Sequence, residues 1–281
     1  MKVIILAAGY ATRLEPVTKG KIAKTLLPIC AEGTRQPILY YIFDKLFYYN
    51  ERFGDTIQEI YVLSNEKYKE SIEKACEKYL ESAEINIPIN VVSDGTTCKE
   101  EALGANGDLK FMNDHMSRNS TDNDVLIIAG DNYFDFDLVH FFHDYYLAKV
   151  NSNSSITMVV SKEFPEEQRE YVHNGFAILD VDEDGRVLSM IEKPAKDGIK
   201  LDSNKGAICM YLMDRKHLDL IDKYMETYKD NPKLRDSIGY FIGYLAKNTP
   251  TYNFSFNSNF VDIGTPEEYE KMQKEECEFE Y

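Results

Sequence analysis

Residues 1–29 read MKVIILAAGYATRLEPVTKGKIAKTLLPI, and the rest of the 281-residue chain is organised around them. Val3, Ile4, Ile5 and Leu6 form a mostly β-branched run with no polar break, the pattern of a strand buried on both faces. The run ends in Ala7-Ala8-Gly9-Tyr10-Ala11-Thr12-Arg13, where small residues let backbone come close to a ligand. Arg13, Lys19, Lys21 and Lys24 follow closely, in a chain of strongly negative overall charge. A buried strand, a small-residue turn and a local group of cations together describe a polyphosphate site. Backbone N–H groups would cradle the oxygens while side-chain cations neutralise charge.

Other readings of the same stretch compete. A dinucleotide fingerprint needs Gly-x-Gly-x-x-Gly, but the second and third positions here are Ala11 and Leu14, and no acidic residue closes the next strand. A P-loop needs Gly-x-x-x-x-Gly-Lys-Ser/Thr, and Gly20-Lys21 has neither the upstream Gly nor the hydroxyl. A strand, a tight turn and a solvated basic loop with no ligand remains open.

Leu6-Ala7-Ala8-Gly9-x-x-Thr12-Arg13-Leu14-x-Pro16-x-Thr18, followed by Lys24-x-Leu26-Leu27-Pro28-Ile29, closely resembles the signature of the sugar nucleotidyltransferases. These enzymes join a sugar 1-phosphate to a nucleoside triphosphate and release pyrophosphate. The resemblance implies an α/β fold, Rossmann-like, with a mixed, mainly parallel central sheet flanked by helices (glycosyltransferase-A-like) in a single domain. Residues to about 150 would form its nucleotide-binding half, and the remainder from about 151 its acceptor-binding half. Leu6, Ala8, Gly9, Thr12 and Arg13 would contact the nucleotide. Ala11 stands where Gly is common and Ala23 where Pro usually precedes the signature Lys. Ala11 is absorbed if its φ stays negative, and neither change removes a charged group.

Composition bounds the rest. The chain is 43% hydrophobic, enough for one large core. Lys plus Arg is 32 and Asp plus Glu is 48, a net charge of −16 that argues against general nucleic-acid binding. Anionic substrates therefore require a positive pocket in a negative protein, which residues 13–24 supply. Cys30, Cys76, Cys98, Cys209 and Cys277 are scattered, odd in number and without a Cys-x-x-Cys pair, as in a reducing cytoplasm. The N-terminus has no signal-peptide layout and no apolar run approaches eighteen residues, so a soluble cytoplasmic protein with no membrane partner is expected.

Beyond the signature, Ala31 to Gln36 reads as a turn and Pro37 opens a helix ending near Gly54. Strands at 57–63 and 85–92 flank an amphipathic helix at 66–82, a βαβαβ alternation that favours parallel pairing with right-handed crossovers. Ser93-Asp94-Gly95-Thr96-Thr97 should then face the first turn, with a helix over 100–112. The family reads its base about here, so Asp94 and Gly95 join the nucleotide contacts. Several relatives carry Gln near the start of this loop, where this chain has Val92-Ser93-Asp94. A plain turn capped by Asp94 is the competing reading.

Residues 112–123 read as a polar surface loop. Val125 to Ala129 is a buried strand running into Gly130-Asp131-Asn132. A carboxylate at a strand end can bind a cation, and Asp131 matches the family's magnesium-binding Asp; capping the following helix is the alternative. His140 and His143, on a helix at 136–149, lack a third ligand and read as surface histidines. Asn151 to Ser155 is a short polar linker. Strands follow at 156–160 and 174–180, then an Asp182-Glu183-Asp184-Gly185 hairpin turn and a return strand ending in Glu192-Lys193-Pro194.

This hairpin matches the family's acceptor-binding half, with Gly175 in place of its conformationally special Gly. By that resemblance Lys193 holds the phosphate of the sugar phosphate and Glu192 takes a sugar hydroxyl. Lys205 stands where the family more often has a small or hydroxyl residue, a cation that implies either an acceptor other than a plain hexose phosphate or a second clamp on its phosphate. Helices at 214–227 and 233–247 and a strand at 252–256 lead to Phe260-Val261-Asp262-Ile263-Gly264-Thr265-Pro266-Glu267-Glu268. Thr265-Pro266-x-Glu268 is a capping box with Pro at the first helical position. The family pattern makes Asp262 the second Mg²⁺ ligand.

These readings give a mechanism. An anionic phosphate must approach an anionic triphosphate, so repulsion and positioning are the barrier. Arg13 would serve the departing phosphates, Lys24 the triphosphate, Asp131 and Asp262 a Mg²⁺ ion, and Lys193 the nucleophile. The partners are then a nucleoside triphosphate (dTTP, UTP or CTP) and a sugar phosphate. A cytidylyltransferase for a small phosphate or phosphonate such as phosphocholine, and a non-catalytic sensor of nucleotide or sugar phosphate, are the alternatives. Family members often form dimers or tetramers, an assembly that no residue here selects.

Overall fold

In the computed structural model, residues 1–54, 56–83, 87–117 and 124–274 are described. The chain builds two compact units from interleaved segments. The first comprises Met1–Ala102, Ala129–Leu138 and the residues from Asn259 onward, and the second Leu103–Ile128 and Val139–Ser258. The polar stretch 151–155 lies wholly inside the second unit.

In the first unit, strand Lys2–Leu6 pairs in parallel with Glu59–Ser64, which pairs in parallel with Ile89–Ser93. Val3, Ile4, Ile5, Ile60, Val62 and Leu63 are all fully buried, as an unbroken apolar strand requires. Helices Ile38–Phe53 and Lys69–Ala83 make the connections. The first starts after Pro37 and stops at Gly54, whose φ of 71° ends the helix without a Cβ clash. The expected turn at 31–36 is a hairpin, Pro28–Ala31 against Thr34–Pro37. Glu32 and Gly33, both at positive φ, form the two-residue loop that such a pairing needs.

The second unit is largely antiparallel. Strand Lys205–Met213 pairs antiparallel with Val125–Ala129, Thr157–Glu163 and Ala177–Val181. Val187–Glu192 adds to Ala177–Val181, and Thr251–Phe256 pairs in parallel with Thr157–Glu163. The fold class is thus α/β with mixed strand pairing and flanking helices, as the sequence implied. Helix Ile238–Asn248 lies directly on strand Val187–Glu192. A Cβ at Gly243 would stand only 2.6 Å from the Met190 carbonyl oxygen, so the close approach depends on that glycine.

Several element boundaries differ from expectation: the helices placed at 214–227 and 233–247 are each broken in two, the strand placed at 85–92 is Ile89–Ser93, and the start of the loop placed at 112–123 is helical to Ser117. The helix placed at 100–112 instead begins at Ala105 and runs to Ser117. Gly104, at φ 73°, breaks it from the short turn Lys99–Glu101, and a Cβ there would meet the Asp236 backbone at 3.0 Å. The strand expected from Asn174 begins at Ala177, because Arg169–Gly175 is helical and buries Val172 and His173. Residues 118–123 lie outside the described residues. Among those described, no helix is long and apolar enough to cross a membrane.

Candidate functional site

The small-residue turn is tied down at both ends. Ala7 N–H donates to the Leu63 carbonyl at 2.8 Å, continuing the parallel ladder past Leu6. The buried Asn65 side chain donates to the Ala8 carbonyl at 2.8 Å and accepts from Tyr68 N–H at 3.1 Å. Ala11 then adopts φ 52°, which overturns the expectation that its φ stays negative. Glycine takes such an angle without penalty, so alanine holds it here at some strain. Thr12–Leu14 is a single 3₁₀ turn that buries Leu14 and leaves Thr12 and Arg13 exposed.

Asp131 is delivered by Gly130. The Gly130 N–H donates to the Leu6 carbonyl at 2.9 Å, and a Cβ at that position would come within 3.0 Å of the same oxygen. Asn132–Phe134 then pairs antiparallel with Phe260–Asp262, setting Asp262 opposite Asn132, and Ile263 N–H donates to the Asp131 carbonyl at 3.2 Å. The two aspartates are therefore neighbours. Lys24 lies between buried Ala23 and Thr25; its ammonium ion-pairs with Asp131 Oδ2 and stands 3.8 Å from Asp262 Oδ1. Burial, and then the charge of Asp131, raise the Asp262 carboxyl above the ordinary carboxylate range, while Lys24 and Arg13 work in the opposite direction.

Arg13 approaches the same corner. Its Nη2 lies 3.2 Å from where a Cβ on Gly264 would sit, so this glycine leaves room for the guanidinium. The capping box beyond it closes slightly differently from the usual pattern. Thr265 Oγ1 accepts from Glu268 N–H at 3.3 Å, but Glu268 Oε2 reaches back to Gly264 N–H at 2.8 Å rather than to Thr265.

The loop after Ile89–Ser93 faces the first turn, as expected. Tyr10 O–H donates to Thr96 Oγ1 at 2.8 Å, and Thr96 donates through both its N–H and its hydroxyl to Asp94 Oδ1, each at 2.8 Å. Gly95 occupies φ 81°. Burial raises the Asp94 carboxyl above its ordinary value, partly offset by the Thr96 donors.

The acceptor-side residues belong to the second unit. Glu192, only 6% exposed, ends strand Val187–Glu192, and its Oε1 lies 3.1 Å from the Lys193 ammonium. Lys193 holds φ 45°. Gly175 does not have the special backbone expected of it: it closes the helix Arg169–Gly175 outside the positive-φ region, with open space around its Cα. The left-handed position nearby is Lys193 itself. Lys205 begins its strand and pairs with Glu163, so a second clamp there requires that pair to open. His140 and His143 are exposed on helix Leu138–Ser152.

Among the described residues, no three His, Cys, Asp or Glu side chains gather as a metal cage. A cavity of about 360 Å³, lined in part by Glu32, Asp44, Lys45, Tyr48 and Asp135, contains none of the candidate site residues. Sequence reasoning passed over Asn65, Tyr10 and Thr96. An Asn directly after a buried strand and ahead of an amphipathic helix was the available signal for the first. Nothing in the sequence pairs the other two.

A small-residue loop off the carboxyl end of a buried parallel strand, with cations and paired carboxylates beside it, places the chain among α/β proteins whose candidate site lies at the carboxyl edge of the sheet. The family model described as Nucleotidyl transferase matches residues 2–278, and the chain belongs to that family. It is 25% identical over 275 residues to the D-glycero-alpha-D-manno-heptose 1-phosphate guanylyltransferase of Aneurinibacillus thermoaerophilus, covering 98% of each chain. It is 24% identical over 274 residues to the UTP--glucose-1-phosphate uridylyltransferase of Synechocystis sp. PCC 6803, covering 96% of this chain and 61% of that one. Several curated relatives are longer than this chain, which spans only about half to two thirds of their length. Its fold also matches a solved UDP-glucose pyrophosphorylase with a TM-score of 0.70 at 18% identity, covering 96% of both chains.

Proposed function

We propose that this protein transfers a nucleoside monophosphate from a nucleoside triphosphate to a sugar 1-phosphate. An oxygen of the acceptor phosphate attacks the α-phosphorus, the bond from that phosphorus to the β-bridging oxygen breaks, and pyrophosphate leaves with the electron pair. No general base is required, because the acceptor phosphate is already ionised. The observation that carries this reading is the convergence of Asp131 and Asp262 on the Lys24 ammonium, with Arg13 at the same corner.

The first unit would hold the triphosphate. Leu6, Ala8, Gly9 and Thr12 would offer backbone and hydroxyl contacts, Arg13 would take the departing phosphates, and Lys24 the triphosphate chain. Two hard carboxylates suit Mg²⁺, which is bound by one or two carboxylates with phosphate and water oxygens completing the set. Held by Asp131 and Asp262, the ion would supply charge neutralisation at the α-phosphate. Asp94 and Gly95 would border the base, and in the second unit Lys193 and Glu192 would take the acceptor. A relative that matches this chain over 98% of both lengths is named a guanylyltransferase, so GTP joins dTTP, UTP and CTP as a candidate donor.

The test is pyrophosphate release from those four nucleotides against a panel of sugar 1-phosphates, with phosphocholine and aminoethylphosphonate included, with and without Mg²⁺. Turnover with a sugar 1-phosphate supports the reading, and turnover with phosphocholine alone replaces it by the small-phosphate alternative. Asp131→Asn should lower kcat by about 10²–10³-fold or more with the fold retained. Near-normal turnover in that variant would remove Asp131 from the mechanism.

A further inference from the structure

We propose that Ser237 and Gly239, in the first turn of helix Ile238–Asn248, are positioning residues for the acceptor: they seat Glu192, which in turn holds the Lys193 ammonium. This rests on the reading above, in which Lys193 takes the acceptor phosphate.

A glutamate so nearly buried must have its oxygens accounted for. Glu192 Oε1 accepts from Ser237 Oγ at 2.7 Å and faces Lys193 Nζ at 3.1 Å. Oε2 fills the space a side chain at position 239 would need, since a Cβ there would stand 1.9 Å from Oε2 and 3.0 Å from Cδ. Gly239 is not at positive φ, so glycine is required by the carboxylate and not by the backbone angle. The site is also favourable for charge. Helix Ile238–Asn248 has eleven residues, and its first turn offers the positive end of the helix dipole to an anion.

Lys193 is fixed from the other side. Its N–H donates to the Phe176 carbonyl at 3.0 Å, Pro194 follows it, and its φ of 45° is a strained conformation that persists only where neighbours hold it. Backbone and ammonium are thus both constrained, while the side chain stays about a third exposed and open to an anion. A lysine held in place loses less rotamer freedom on gripping a phosphate than one that must first be ordered. Neither Ser237 nor Gly239 touches the acceptor in this scheme; they act through Glu192.

The experiment compares steady-state kinetics of wild type, Ser237→Ala, Ser237→Thr and Gly239→Ala, varying acceptor and nucleotide separately, with thermal midpoints recorded for each. Ser237→Ala should raise the acceptor KM about tenfold, the effect of losing one hydrogen bond to a charged group, while the nucleotide KM stays unchanged. Ser237→Thr, which keeps the hydroxyl, should recover most of the loss, and Gly239→Ala should exceed it. Should Gly239→Ala fail to fold, Ser237→Ala and its threonine rescue decide the matter. An unaltered acceptor KM in Ser237→Ala, or an equal rise in both KM values, overturns the seat while normal wild-type turnover leaves the transferase reading standing. Absence of wild-type turnover with every acceptor overturns both.

Discussion

Asp131 and Asp262 reach one ammonium, although the whole second acceptor-side stretch of the sequence lies between them: Lys24 pairs with the first and stands 3.8 Å from the second. The cause is the short ladder Asn132–Phe134 against Phe260–Asp262, which sets the two segments in register. With Arg13 beside them, the corner is balanced between two like negative charges and the cations that offset them.

Removing Lys24 should expose that balance. In Lys24→Met the carboxylates face each other with only Arg13 left to offset them, and the cost should be on the order of 1–2 kcal/mol, below that of a fully buried pair because both acids are about a third exposed. Thermal melts should show a lower midpoint than wild type, and millimolar Mg²⁺ should recover more of it in the variant than in wild type. An unchanged midpoint would mean that the lysine does not offset the acids.

Ala11 and Gly175 make a mirrored pair. Ala11 sits at φ 52°, so Ala11→Gly should stabilise by about 0.5 kcal/mol, the relief of strain partly offset by the entropy of glycine. Gly175 has open space and no positive φ, so Gly175→Ala should stabilise by about 0.4–1 kcal/mol. Chemical denaturation of both variants measures the two differences, and a loss of stability at Gly175 would contradict the open helix end.

His217 should make stability depend on pH. Its Nδ1 lies 2.9 Å from Thr157 Oγ1, and burial lowers its pKa below 6.5, with Lys149 adding to the shift and Asp214 opposing it. The unfolded chain therefore binds the proton more readily, so stability is full above about pH 6.5 and declines as pH falls below it. Urea midpoints between pH 7.5 and 5 should fall in wild type, and His217→Gln should lack that component. Asp214 is held below the ordinary carboxylate range by the Lys216 N–H and Lys149, so its contribution is lost only in more acidic solution.

The thiols should separate by burial. Cys98 is exposed, whereas Cys30 and Cys76 are buried, and burial pushes the Cys76 thiol up to about 12. Mass-spectrometric mapping after brief treatment with an alkylating reagent should find Cys98 modified and Cys76 protected until the protein is unfolded. Rapid native labelling of Cys76 would contradict its burial. Cys277 lies outside the described residues.

The central strands were legible because each depends on a local pattern, an apolar run, whereas the Asp131–Asp262 meeting was expected only from the family resemblance, since a long-range ladder makes it. What stayed hidden depends on distant backbone. Gly104 breaks a helix because Asp236 approaches it, and Gly239 is glycine because a glutamate from another strand needs the room. Neither need is written near the residue that meets it. Gly175 shows the reverse: its place beside the acceptor hairpin suggested an unusual backbone, yet the left-handed residue is Lys193. Ala11 failed for a simpler reason, since a residue type alone does not report its own φ.

The ladder that joins Phe260–Asp262 to Asn132–Phe134 also orders events during synthesis. A nascent chain acquires its cationic loop and Asp131 first, and the matching carboxylate emerges from the ribosome only after the intervening segment Val139–Ser258 has been made. Partly translated molecules therefore carry Lys24 and Asp131 without the second carboxylate, and a truncation before residue 259 would leave that pair without Asp262 and without the ladder that positions it.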